Sequence, residues 1–158
     1  MRSLAIVALA GLFVVGCAKK DKPADTVAAA PAPAPAPPPP AAITLADVAG
    51  TWNVVAKNVA GDSTLVTYIM VAKPDTTGWT MTFSKRPPVA VKVLSVAGDS
   101  VVIHAGPYPS ALRKGVQVTT HSVLRLQDGK LVGTTKANYN VKTADSVLMI
   151  KSEGTKAP

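Results

Sequence analysis

The chain has 158 residues and a formal net charge of +8, from 17 Lys and Arg against 9 Asp and Glu. With two His, one Cys and a single Glu, it lacks the clusters from which metal centres and paired-carboxylate active sites are built. Its aromatics are too few for the interleaved basic and aromatic surface that nucleic-acid binding uses.

The first element is a leader, residues 1–16. Met1-Arg2-Ser3 carries one positive charge, and Leu4 to Val15 is an uncharged apolar run. The run is short of the ~20 residues that cross a hydrocarbon core, and its layout is that of a secretory signal. Val14-Val15-Gly16-Cys17 follows. An unpaired Cys in an exported chain needs an explanation. These four residues resemble the lipobox of bacterial lipoprotein precursors, with Val in place of the more frequent Leu at Val14. The resemblance implies that the mature chain starts at Cys17, with a diacylglycerol on its sulfur and an acyl chain such as palmitate on its nitrogen. Two or three chains anchor stably where one does not. Cys17 is then the lipidation site and the membrane the first partner. Ala18 stands where an Asp would resemble an inner-membrane retention signal. The resemblance thus implies a cell-envelope location, in the outer membrane if the source has one, facing the periplasm or the surface.

Residues 17–42 are the lipidated Cys and its tether. Pro31-Ala32-Pro33-Ala34-Pro35-Ala36 runs into Pro37-Pro38-Pro39-Pro40. Proline fixes φ and lacks an N–H, so helix and sheet are excluded. A polyproline II rod at ~3.1 Å per residue would span roughly 30 Å from Pro31 to Pro40. It reads as a spacer.

Residues 43–158 form the folded domain, with 13 Lys and Arg and 7 Asp and Glu, hence about +6. Alternation marks strands. Eight are predicted, at 51–59, 64–71, 79–84, 89–96, 100–105, 116–126, 131–137 and 146–152. Gly61-Asp62 and Gly98-Asp99, each inside a repeated Val-Ala-Gly-Asp-Ser, suit type II′ turns, and Asp128-Gly129 suits type I′. The one long loop is expected from Gly106 to Gly115. Short connections make an all-β, antiparallel, eight-stranded up-and-down meander. Closing it into a barrel removes its exposed edges. A two-sheet β-sandwich is the alternative.

Gly50-Thr51-Trp52 is similar to the Gly-x-Trp signature of the lipocalin and wider calycin group. Leu45 to Ala49 fits the short helical turn that precedes it there. The resemblance implies a lipocalin-like barrel in which Trp52 closes one end under a basic residue of the last strand, Lys151 or Lys156. The chain departs from the group's Thr-Asp-Tyr, having Gln127-Asp128-Gly129, and lacks its C-terminal helix.

No catalytic residue is expected and the chain does not read as an enzyme. Cofactor and metal are both expected to be none. His104 reads as a surface residue, and His121 as part of a solvated polar stretch with Thr119, Thr120 and Ser122. Two functions follow. The first is a membrane-anchored lipoprotein whose barrel binds a small apolar or amphipathic ligand, with Trp52, Tyr68, Met81 and Phe83 in the cavity. The alternative is a structural or interaction protein of the envelope, with a filled core, meeting a protein partner through the Tyr108 loop, Arg113 and Lys114. Nucleic acid is not expected as a partner.

Overall fold

A computed structural model describes residues 42–158. The leader, Cys17 and nearly all of the tether fall outside the described residues. A single turn of helix, α1 (Leu45–Val48), opens the domain. Thr44 caps it: its hydroxyl oxygen accepts from the Asp47 N–H, and the Asp47 carboxylate accepts from the Thr44 N–H at 2.8 Å. This reciprocal box satisfies donors that a four-residue helix could not.

Eight strands follow: β1 (Gly50–Asn58), β2 (Thr64–Ala72), β3 (Trp79–Phe83), β4 (Val89–Ala97), β5 (Ser100–Pro109), β6 (Gln117–Gln127), β7 (Lys130–Tyr139) and β8 (Val147–Lys156). Each pairs antiparallel with the next, and β1 pairs with β8 from Trp52↔Lys156 to Asn58↔Ile150. The barrel is therefore closed and up-and-down, lipocalin-like in its meander, and the sandwich alternative is excluded. Among the described residues, all strands and the buried core lie between residues 43 and 158, and the sheet closes on itself without an open edge.

Period-2 alternation sets the two faces. In β6, Val118, Thr120, Ser122 and Leu124 are buried, while His121 and Arg125 are exposed. Strand order then defines two ends. The α1 end holds Val48, Trp52, Trp79, Val101 and Leu131, the large side chains with almost no exposure. At the opposite end lie Phe83, Tyr108 and Tyr139, under the loop that joins β5 to β6.

The three short turns differ in a way their sequences only half announce. Asp128 and Gly129 both have positive φ, 51° and 73°, as type I′ requires. Gly98 alone has φ 56° in its turn, matching type II′. The same pentapeptide at 59–63 does otherwise. There the positive φ, 54°, falls on Asp62 rather than Gly61, and Asn58 closes a longer loop by donating its N–H to the Ser63 carbonyl at 2.9 Å. The type II′ expectation at Gly61-Asp62 is thus corrected.

The long loop is shorter than its sequence suggested. β5 continues through Gly106 and Pro107 to Pro109, with Tyr108↔Val118 and Pro109↔Gln117 paired beyond an irregularity after Ala105. A bulge accommodates a residue without an N–H, because its ladder positions are already interrupted.

Candidate functional site

The barrel interior holds a partly open cavity of about 60 Å³. Its walls are of two kinds. Strands β2 to β5 contribute an apolar side, with Met70, Met81, Phe83, Val91 and Ile103. Strands β6 to β8 contribute hydroxyls, from Thr120, Ser122, Thr135 and Ser152. Ser122 Oγ and Thr135 Oγ1 are 2.7 Å apart and bonded. Among the described residues no fully buried side-chain nitrogen or oxygen lacks a partner, so the hydroxyl wall does not oppose folding.

Aromatic rings rise from this cavity toward the loop end. Tyr68 and Phe83 have centroids 5.4 Å apart, and Phe83 and Tyr108 5.8 Å, within the range of favourable ring pairs. The phenols are held protonated. Burial pushes the Tyr108 phenol up to about 12, with the Thr120 hydroxyl opposing. Burial likewise raises Tyr68, opposed by Ser152, and Tyr139, opposed by the Arg113 charge and Ser110.

The segment from Ser110 to Val116 lies over this end. Leu112 and Ala111 are partly buried against the core and line the cavity. Ser110 is buried, and its oxygen accepts from the Leu112 and Arg113 N–H groups, each at 3.0 Å. Two arginines pin the segment. The Arg86 guanidinium donates to the carbonyls of Pro109 at 2.8 Å and Ser110 at 3.0 Å. Arg113 stacks over the Tyr139 ring at 4.0 Å and meets Asp145 at 3.1 Å.

Of the four residues expected in the cavity, Tyr68, Met81 and Phe83 line it together. Trp52 does not. It closes the α1 end, where its indole N–H donates to the Val48 carbonyl at 2.8 Å. The Lys156 ammonium stands 5.6 Å from its ring centroid, whereas Lys151 turns to Asp62. The choice left open between the two lysines therefore falls to Lys156.

Three features of the cavity escaped the sequence reading: Tyr108, Tyr139 and the hydroxyl wall. The signal for the hydroxyls was present. The alternation that buries Val118 and Leu124 also places Thr120 and Ser122 inside, so only His121 and Thr119 of that polar stretch face outward. Tyr108 gave no such signal, because flanking prolines marked its segment as loop.

Among the described residues no group of three or more His, Cys, Asp or Glu could hold a metal ion, and no helix is long and apolar enough to cross a membrane. The sequence matches no family model, and no curated protein or solved structure matches it.

Proposed function

We propose that the barrel binds the apolar part of a small amphipathic ligand, and that Cys17 with its Ala-Pro tether holds the barrel on an envelope membrane. The observation that carries the binding reading is the partly open, two-sided cavity beneath a pinned loop. A core built only for stability is served by apolar packing throughout, since buried hydroxyls contribute little net stability even when bonded. Here one wall is apolar and the other carries hydroxyls, which suits a slender tail ending in a hydrogen-bonding group. Drug-sized pockets occupy ~300–1,000 Å³, so the ligand is small or displaces neighbours as it enters. Met70 and Met81 are the side chains most able to yield, being unbranched.

Native mass spectrometry of protein gently extracted from its own membrane tests both halves. The expected spectrum carries the mass of acyl chains on a chain starting at Cys17, and a second, dissociable mass of a few hundred daltons at most, in keeping with the small cavities such ligands occupy. A spectrum without the dissociable mass counts against the cavity, and a chain retaining residues 1–16 counts against the anchor.

The cavity volume also supports a second reading, in which the core is essentially filled and the exterior does the work. That reading predicts no saturable effect of any small amphiphile on the interior residues.

A further inference from the structure

The outer face of the barrel carries a feature unrelated to the cavity. Lys92, His104, His121 and Lys136 lie directly opposite one another on β4, β5, β6 and β7: Lys92↔His104, His104↔His121 and His121↔Lys136 are register partners. The two imidazole rings meet edge to face, with centroids 4.7 Å apart. With strands ~4.8 Å apart, the row extends roughly 14 Å around the barrel. Lys92, His121 and Lys136 are exposed and His104 partly so.

Among the described residues no anion answers these groups. Elsewhere carboxylates answer cations, in Arg125–Asp99, Lys130–Glu153, Lys151–Asp62 and Arg113–Asp145. Lys92 and Lys136 take part in no ion pair among the described residues. The flanking outward positions, Ala90, Val102, Thr119, Val123, Thr134 and Asn138, hold no acid. His104 thus faces Lys92 on one side and His121 on the other, and His121 faces His104 and Lys136. The row thus sets two exposed cations on a face that carries no carboxylate, so an anion that meets them comes from outside the barrel.

Apolar side chains mark both margins. Beyond Lys136 the next register partner is Met149 on β8, 44% exposed, followed by Val147 at 45%; beyond Lys92 on β4 the bulged Leu94 is 53% exposed. Cations flanked by exposed aliphatic groups fit a lipid headgroup layer, with phosphates against the row and methyl groups at the interface. All six aromatics of the domain face the interior or the α1 end, so the face has no stacking platform for nucleic-acid bases.

We infer that the outer face of β4 to β7 docks on an anionic phospholipid bilayer, through a four-strand row formed by Lys92, His104, His121 and Lys136. The row uses no cavity residue and no part of the tether, so this docking stands apart from ligand binding and from the Cys17 anchor. Burial, then His121 and Lys92, hold the His104 imidazole below its ordinary pKa, so Lys92 and Lys136 carry the charge on which docking rests at neutral pH.

The experiment is co-sedimentation of the barrel, residues 43–158, with vesicles of equal phosphatidylcholine and phosphatidylglycerol, against phosphatidylcholine alone. Binding is expected only with the anionic lipid. At about pH 7.5, Lys92→Gln with Lys136→Gln should weaken it about 25-fold, from about five-fold per lysine. The control Lys73→Gln with Lys142→Gln removes the same charge away from the row and should cost less than a third of that loss. His104→Asn with His121→Asn, which keeps both lysines, should leave binding at that pH essentially intact. All six positions are at least partly exposed, so the variants should fold, which near-ultraviolet circular dichroism verifies. Equal losses in the two lysine pairs would overturn the proposal in favour of net charge alone. Pulldown by duplex DNA but not by vesicles, or binding to phosphatidylcholine alone as strong as to the anionic mixture, would overturn it as well.

Discussion

Arg113 and Tyr139 join the β5–β6 loop to the end of β7, with no sequence proximity between them. The guanidinium lies 4.0 Å above the ring, and this contact seats the β5–β6 segment on the last residue of β7. A cation over an aromatic face contributes ~0.5–1 kcal/mol at exposed sites and ~2 kcal/mol when desolvated. The accompanying Asp145 pair adds little, because Asp145 is 70% exposed. Arg113→Ala should therefore cost about 1 kcal/mol of stability in denaturant unfolding. Its larger effect should be local: amide exchange at residues 110–116 should accelerate more than exchange in β6 or β7. Arg86→Ala, which removes two bonds to the Pro109 and Ser110 carbonyls, should act in the same direction.

The phenols predict an alkaline limit. Tyr108 is raised to about 12 in the folded barrel, against ~10 when unfolded. The folded state therefore holds its proton where the unfolded state has lost it. Stability from this group is complete below pH ~10 and falls as pH rises toward about 12, by about 3 kcal/mol in all at 1.36 kcal/mol per unit. Tyr68 and Tyr139 are shifted in the same direction. The domain has no other tyrosine, so tyrosinate absorbance should stay nearly flat above pH ~10 and then appear with unfolding. A smooth titration near the ordinary phenol value, with the fold intact, would contradict the interior placement.

Trp52 should be a stability residue rather than a ligand contact. It is 1% exposed, and its indole N–H is bonded to Val48. Trp52→Ala should cost about 3–5 kcal/mol, with ligand affinity in the remaining folded protein unchanged. Lys156→Gln should cost no more than about 1 kcal/mol. Gly50→Ala should be worse than that lysine change: Gly50 sits at φ 140°, and an added Cβ would stand 2.7 Å from Lys156 Cε. Melting temperatures of the three variants should fall in the order Lys156→Gln, Gly50→Ala, Trp52→Ala.

The barrel wall should be weakest at β3. Its pairing is short on both sides, from Tyr68↔Phe83 to Val71↔Thr80 with β2 and from Trp79↔Val91 to Met81↔Val89 with β4. β6 and β7 pair from Val118↔Tyr139 to Gln127↔Lys130. Native-state hydrogen exchange should open β3 first and β6–β7 last, because local opening energy follows how much structure each segment shares. Uniform protection around the barrel would contradict this order.

How much of this was readable depends on whether a feature is local. Trp79 to Phe83 alternates so cleanly that its strand and its inward face follow from the sequence alone. The same holds for the Asp128-Gly129 turn, where both residues tolerate positive φ. Two extensions were not readable. Tyr108 and Pro109 continue β5 only because a bulge after Ala105 lets a proline-flanked segment rejoin β6. Thr155 and Lys156 continue β8 only because β1 returns to pair with them, a contact across almost the whole domain. The cavity was half legible. Met81 and Phe83 follow from alternation and size, whereas Trp52, equally large and apolar, is removed from the cavity by its place at a strand end. Thr120, Ser122, Thr135 and Ser152 look solvated in sequence because hydroxyls are usually outside, and only the pairing of three neighbouring strands gathers them on one wall.

The most direct test of the binding claim is a titration of the barrel with a medium-chain alkanoate, followed by the methyl resonances of Met70 and Met81. Both methyls should shift saturably, and Ala105→Leu, which fills the cavity at a cost of about 1–3 kcal/mol, should abolish the shift while the barrel remains folded. Shifts confined to the exterior near Lys92 and Lys136, or interior methyls that never respond, would show that the core is closed and that the barrel does not work by holding a ligand.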